Sequence, residues 1–173
     1  MLMLTPRLRT AMHYGALSGI GSFLIFIAIY WKGSNPLGAA SWLGAWIPVV
    51  FICISIKYFR DKLLGGFITY GQAFKTGLMT TVCASALFEL MVYIFGYFTH
   101  EAFLQAHIQE ALMGLEQSKM FFNDELYAEM EKEIENLTMN KVVLNDFFTK
   151  MLGGVIVSLF AAAYYRRNPT AEL

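Results

Sequence analysis

Four long stretches of the chain lack the polar interruptions of a water-exposed helix or strand. Residues 14–31 contain no Asp, Glu, Lys or Arg, and neither do residues 33–56. A third apolar stretch, 76–98, carries the single acid Glu89, and a fourth, 147–165, carries Lys150 near one end. A helix rising about 1.5 Å per residue needs roughly 20 apolar residues to cross the hydrocarbon core of a bilayer. The pattern therefore predicts an all-α integral membrane protein, a four-helix bundle with spans at 14–31, 38–57, 76–98 and 147–165 in one domain covering 1–173.

Between the third and fourth spans the pattern changes to helical amphipathicity. Leu104, Ile108, Leu112 and Leu115 recur at spacings of three and four, as do Leu126, Met130, Ile134 and Leu137. Asn123 ahead of Asp124 and Glu125 is a helix-start signal that complements the helix dipole. An acidic helical hairpin over about 100–139 is expected outside the lipid, its two apolar stripes covering each other.

Composition agrees: 57% of residues are hydrophobic and 15% charged, against about 25% charged in a globular chain. The expected partner of that apolar surface is a lipid bilayer, and a net charge of zero argues against nucleic acid. Charge distribution then sets direction, because Lys and Arg in short connections stay cytoplasmic. Arg7, Arg9, Lys57, Arg60, Lys62, Lys75, Arg166 and Arg167 would share one side, which predicts cytoplasmic termini. Residues 99–150 hold ten acids against four lysines and would lie outside. Trp31, Trp42, Tyr97, Phe98, Tyr164 and Tyr165 fall near span ends, where amphipathic rings favour headgroups.

An ionisable side chain at membrane depth is by default a functional-site hypothesis, which singles out Glu89. Ser85 lies four residues before it and Tyr93 four after, in a row that drifts about 40° per step around a straight helix. Pro48, near the middle of the second span, leaves the carbonyl of Gly44 without its usual amide partner. With Lys150 read as snorkelling to the interface, no cation is expected within the spans. Glu89 is then either protonated and hydrogen-bonded or paired with a cation from outside. Small residues mark packing faces on the first span (Gly15, Gly19, Ser18, Ser22) and the fourth (Gly154, Ser158, Ala162), toward the same chain or a second copy. His100, His107 and Glu110 make too thin a ligand set for a metal site, Cys53 and Cys83 lie within spans, and neither a cofactor nor enzymatic chemistry is expected.

Residues 57–77 read KYFRDKLLGGFITYGQAFKTG. This is expected to be an interfacial elbow, with Lys57, Arg60 and Lys62 facing lipid headgroups, apolar residues including Ile68 and Tyr70 dipping toward the acyl chains, and Gly65, Gly66 and Gly71 turning the backbone ahead of Gln72. The run YFRDK, then GG, then ITYGQAFKTG opening an apolar span resembles the domain-of-unknown-function family forty-one ninety-nine, small bacterial four-span membrane proteins. The resemblance covers nearly the whole chain and implies the inner membrane of a Gram-negative bacterium, without an activity to transfer. The function expected from all of this is a non-enzymatic structural or interaction role, with a homo-oligomer or another membrane protein as partner. The alternative is a small ion- or solute-coupled transporter or sensor using Glu89.

Overall fold

The computed structural model of the protein describes residues 5–99 and 102–168, with Ala39 described as backbone only. The described residues form six α-helices: α1 Pro6–Trp31, α2 Trp42–Tyr58, α3 Tyr70–Phe98, α4 Ala102–Gln117, α5 Asp124–Glu135 and α6 Met139–Tyr165. A π-helical turn, Phe59–Leu63, extends α2. Among the described residues no β-strand forms, only an antiparallel bridge between Ile68 and Arg167. Among the described residues four helices are long and apolar enough to cross a membrane: Pro6–Trp31, Trp42–Leu63, Tyr70–Phe98 and Met139–Tyr165.

Three of these helices begin earlier than their apolar stretches, and local chemistry explains two of the starts. Thr5 Oγ1 accepts from Leu8 N at 3.4 Å with Pro6 in the first turn, where a missing amide hydrogen costs nothing. Thr69 and Gln72 form a reciprocal capping box: Gln72 N donates to Thr69 Oγ1 at 3.3 Å, and Thr69 N donates to Gln72 Oε1 at 3.1 Å. Gly71 is consequently the second residue of α3 and turns nothing. The turning glycines of the elbow are Gly65 and Gly66, with φ of 66° and 95°. α6 begins at Met139, eight residues before the apolar stretch. Asn123 caps α5 by accepting from Leu126 N at 2.8 Å, as its sequence signal predicts.

α3 is the axis of the bundle, with α1 and α6 both packed along it and α2 leaning across them. Small residues make this approach close. A Cβ on Gly15 would come within 2.6 Å of Cys83 Cβ and 2.9 Å of Thr80 O, and one on Gly19 within 2.9 Å of Ala84 O. On the other side a Cβ on Gly154 would overlap the Thr81 side chain, while one on Gly77 would lie 2.7 Å from Ser158 Oγ. Both small-residue faces thus find their partner in α3 of the same chain. α2 buries side chains fully only in its second half: Ile52, Ser55 and Ile56 are buried, with Ser55 Oγ 2.8 Å from Thr80 Oγ1. Trp42, Leu43, Trp46 and Val50, around and before Pro48, are exposed.

Two apolar clusters hold the ends. Ile52, Ile56, Phe59, Ile68, Ala73, Ala161 and Ala162 pack at the elbow end. At the other, hairpin end, Phe23, Phe26, Phe88 and Val92 meet Phe103 and Leu104 of α4 and Met139 and Val142 of α6, with Phe26 edge-on to Phe103 and Phe95 at centroid distances of 5.5 and 5.8 Å. Ile108 and Leu137 also pack on this cluster. The α4 stripe therefore serves the bundle as well as α5. The α5 stripe is less covered than expected, since α5 has no buried residue and Leu126 is exposed.

Candidate functional site

Glu89 sits on α3 with 4% of its surface exposed, and α6 brings a cation to it. Lys150 Nζ lies 3.2 Å from Glu89 Oε1, pairs also with Asp146 one turn earlier on α6, and stands 4.3 Å above the centroid of the Phe88 ring. The expectation that no cation reaches Glu89 is corrected: Lys150 points into the bundle and does not snorkel outward. The reason is the length of α6. Starting at Met139, this helix carries Asp146 and Lys150 alongside α3 at the level of Glu89. One ammonium is shared between two carboxylates and an aromatic face, a charge-assisted arrangement suited to low dielectric. The contact to Glu89 has the distance of an ion pair without hydrogen-bond directionality, and neither Glu89 oxygen has a hydrogen-bond partner among the described residues.

Beside this cluster lies a cavity of about 430 Å³, within the usual range of small-molecule sites. Asp146, Thr149, Lys150 and Gly153 of α6 form one wall, Thr81, Ser85 and Phe88 of α3 the back, and Ser22, Ile25 and Phe26 of α1 another wall. Gly44, Pro48 and Ile52 of α2 face them. The cavity lies where α2 approaches α1, through Ile47 at Gly21 and Gly44 at Ile25, without closing on α3 and α6. Pro36, Leu37 and Ser41 of the α1–α2 connection, with Trp42 at the start of α2, close the end nearer α4.

That connection is tied to α4. Asn35 Nδ2 donates to Glu110 Oε2 at 2.7 Å and approaches His107 Nδ1 at 3.4 Å, while Asn35 Oδ1 accepts from Leu37 N at 3.0 Å. Nδ1 is then the acceptor nitrogen, which assigns the ring hydrogen to Nε2. Burial lowers the pKa of His107 below its ordinary 6.5, opposed by the nearby charges of Glu110 and Asp146. His100 lies outside the described residues, and among the described residues no group of His, Cys, Asp and Glu could hold a metal ion.

Of the residues singled out by sequence, Glu89, Ser85 and Pro48 come together around the cavity and its charge cluster. Tyr93 does not: it is 45% exposed and lines a separate cleft of about 160 Å³ with Tyr97 and Thr138. The 40° drift per step has carried it off the buried face. The elbow residues serve the opposite end. Arg60, expected to face headgroups, is buried and bonded within the protein: Nε and Nη2 donate to Asp61 at 2.6 and 3.1 Å, Nη1 donates to Tyr165 O at 3.4 Å, and the guanidinium lies over the Tyr165 ring. Ile68, expected in the acyl boundary, is buried in the core and exchanges two 2.9 Å backbone bonds with Arg167. Tyr70 is exposed and stacks on Phe74, and Gln72 is spent in the capping box. Lys150 and Asp146 are the site residues that sequence reasoning missed. Their i, i+4 spacing on an unbroken helix was the available signal.

Four membrane-length helices around a charged, solute-sized cavity define a helical protein of the multi-pass membrane class. The chain belongs to the family described as Protein of unknown function (DUF4199), whose model matches residues 13–167. No curated protein and no solved structure matches it.

Proposed function

We propose that the protein is a multi-pass protein of the bacterial inner membrane, with both termini cytoplasmic, that binds a small molecule within its bundle as a non-enzymatic carrier or sensor. The observation that carries this reading is the cavity of about 430 Å³ meeting the Glu89–Lys150–Asp146 cluster. A buried ionisable group is costly, and a bundle built only for mechanical support gains nothing from holding Glu89 beside Lys150 and Asp146, which open onto the cavity. Support for the orientation comes from the elbow end, where Arg7 lies over the Phe59 ring and Arg167 bonds to Ile68. The basic residues near both termini and in the elbow thus share one end of the bundle. The exposed rings of Trp31, Trp42, Tyr97, Phe98 and Tyr164 near helix ends suit headgroup regions. The acidic helices α4 and α5 would then stand outside.

A second reading, an interaction protein working through α4 and α5, is supported by Met113, Met120 and Phe121, all well exposed around the turn between these helices. Native mass spectrometry of protein released from its own membrane separates the two. Gly153 lines the cavity, and a Cβ there would meet nothing within 4 Å, so Gly153→Leu should fill the space without disturbing the fold. Under the binding reading the wild type carries a small non-protein mass that Gly153→Leu lacks. A stoichiometric protein partner, with no small mass in either form, would replace this reading by the second.

A further inference from the structure

Resting on that binding reading, we infer that the cavity takes a small amphipathic cation, an aliphatic amine in its ammonium form, with nitrogen at Asp146 and hydrocarbon against α2. The charge cluster supplies the first reason. The cluster holds two carboxyl groups and one fixed cation, Lys150, so a second cation is what would balance both acids in ionised form. A bound cation supplies that balance, whereas a bound anion adds to the acidic side where poor solvation magnifies the difference. His107, within electrostatic reach of Asp146, does not supply the missing positive charge at neutral pH, because burial lowers its pKa.

Hydrogen-bond polarity is the second reason. Thr81 Oγ1 donates to Gly77 O at 3.1 Å and Thr149 Oγ1 donates to Asn145 O at 2.9 Å, so each offers a ligand only acceptor lone pairs. Asp146 is acceptor-only when ionised, and Pro48 has no amide hydrogen for the carbonyl of Gly44 on the facing wall. The one cationic donor lining the cavity, Lys150, is already held by two carboxylates and the Phe88 ring. Ser22 Oγ, buried on the α1 wall, has no partner among the described residues and can donate as well as accept. Apart from that hydroxyl, these groups accept hydrogen bonds and ask for a donor. The remainder of the wall is chiefly apolar, from Ile25, Val49, Ile52 and Val157, and suits a hydrocarbon body.

The test is calorimetric titration of the full-length protein in zwitterionic-lipid nanodiscs at pH 7, empty discs subtracted, with octylammonium, 1-octanol and octanoate as probes of equal chain length. Octylammonium should bind about tenfold or more tightly than octanol, the factor expected for a charge-assisted hydrogen bond, and octanoate should bind most weakly. Asp146→Asn, which removes the acid lining the cavity, should reduce the amine to the affinity of the alcohol. Octanoate binding as tightly as octylammonium, or an amine preference untouched by Asp146→Asn, would overturn the ligand class and leave the binding reading standing. Failure of all three probes to bind the wild type, or binding that survives Gly153→Leu, would overturn both.

Discussion

Lys150 carries two opposite duties, and its removal measures them. Lys150→Met leaves Glu89 and Asp146 facing each other without a counter-charge, with Glu89 deeply buried. Deleting one partner of a fully buried pair costs about 3–5 kcal/mol; Lys150 and Asp146 are partly exposed, so the loss is smaller, and the variant should still unfold at lower temperature in micelles. Adding Glu89→Gln should recover most of the loss; a double variant no more stable than Lys150→Met would show that the ion pair does not govern this region. His107 offers a pH test outside the spans. Because its pKa is lowered from 6.5 by burial, the unfolded chain takes up the proton first as pH falls, and stability declines through and below that value. Protonated Nδ1 also loses its role as acceptor for Asn35. Proteolysis of the α1–α2 connection should therefore quicken as pH falls from 7.5 to 5.5, and His107→Gln should flatten that dependence; an equal slope in both proteins would remove His107 from the account. Glu89 was legible from sequence because a lone acid breaks an apolar run. Lys150 was not, because a charge at the edge of an apolar run looks the same whether its helix stops there or continues.

Helix ends, more than helix identities, escaped the hydropathy pattern. Charge-free runs locate lipid-facing length, but α6 extends through the polar segment from Met139 and α3 starts at Tyr70 behind a Thr69–Gln72 capping box. The box was visible in the sequence as T-Y-G-Q, a local signal that an apolar-run criterion does not weigh. The packing faces, by contrast, were readable from glycine and serine spacing, since close helix approach in lipid requires small residues. Two adjacent glycines on α6 provide the control. Gly154→Leu would drive a side chain into Thr81, and overpacking of this kind costs about 1–3 kcal/mol. Gly153→Leu meets open space and should leave stability unchanged or slightly raised, since leucine is the better helix former. Thermal unfolding of the two variants side by side checks this, and equal losses would mean that the Thr81–Gly154 approach is not tight.

At the scale of the whole molecule, the arrangement predicts which surfaces water-borne reagents reach. In a variant lacking Cys53 and Cys83, the free cysteines of the chain, new cysteines at Lys119 and Lys132 should react with an impermeant thiol reagent added outside cells, and one at Lys62 should not. The reverse pattern would invert the orientation. The four long apolar helices could be read from apolar runs because a run of that length follows from bilayer physics; the cavity could not, since it arises from how far α2 leans, a property of packing and not of any one segment. The same packing imposes an order on biosynthesis. Lys150 follows Glu89 by 61 residues, so at about 5–20 residues per second the ribosome delivers it roughly 3–12 s later. A third span thus enters the bilayer while its acid is still without a counter-ion. Nascent chains are most open to quality-control proteolysis in that interval, and lengthening the segment between α3 and α6 prolongs it without touching the finished bundle.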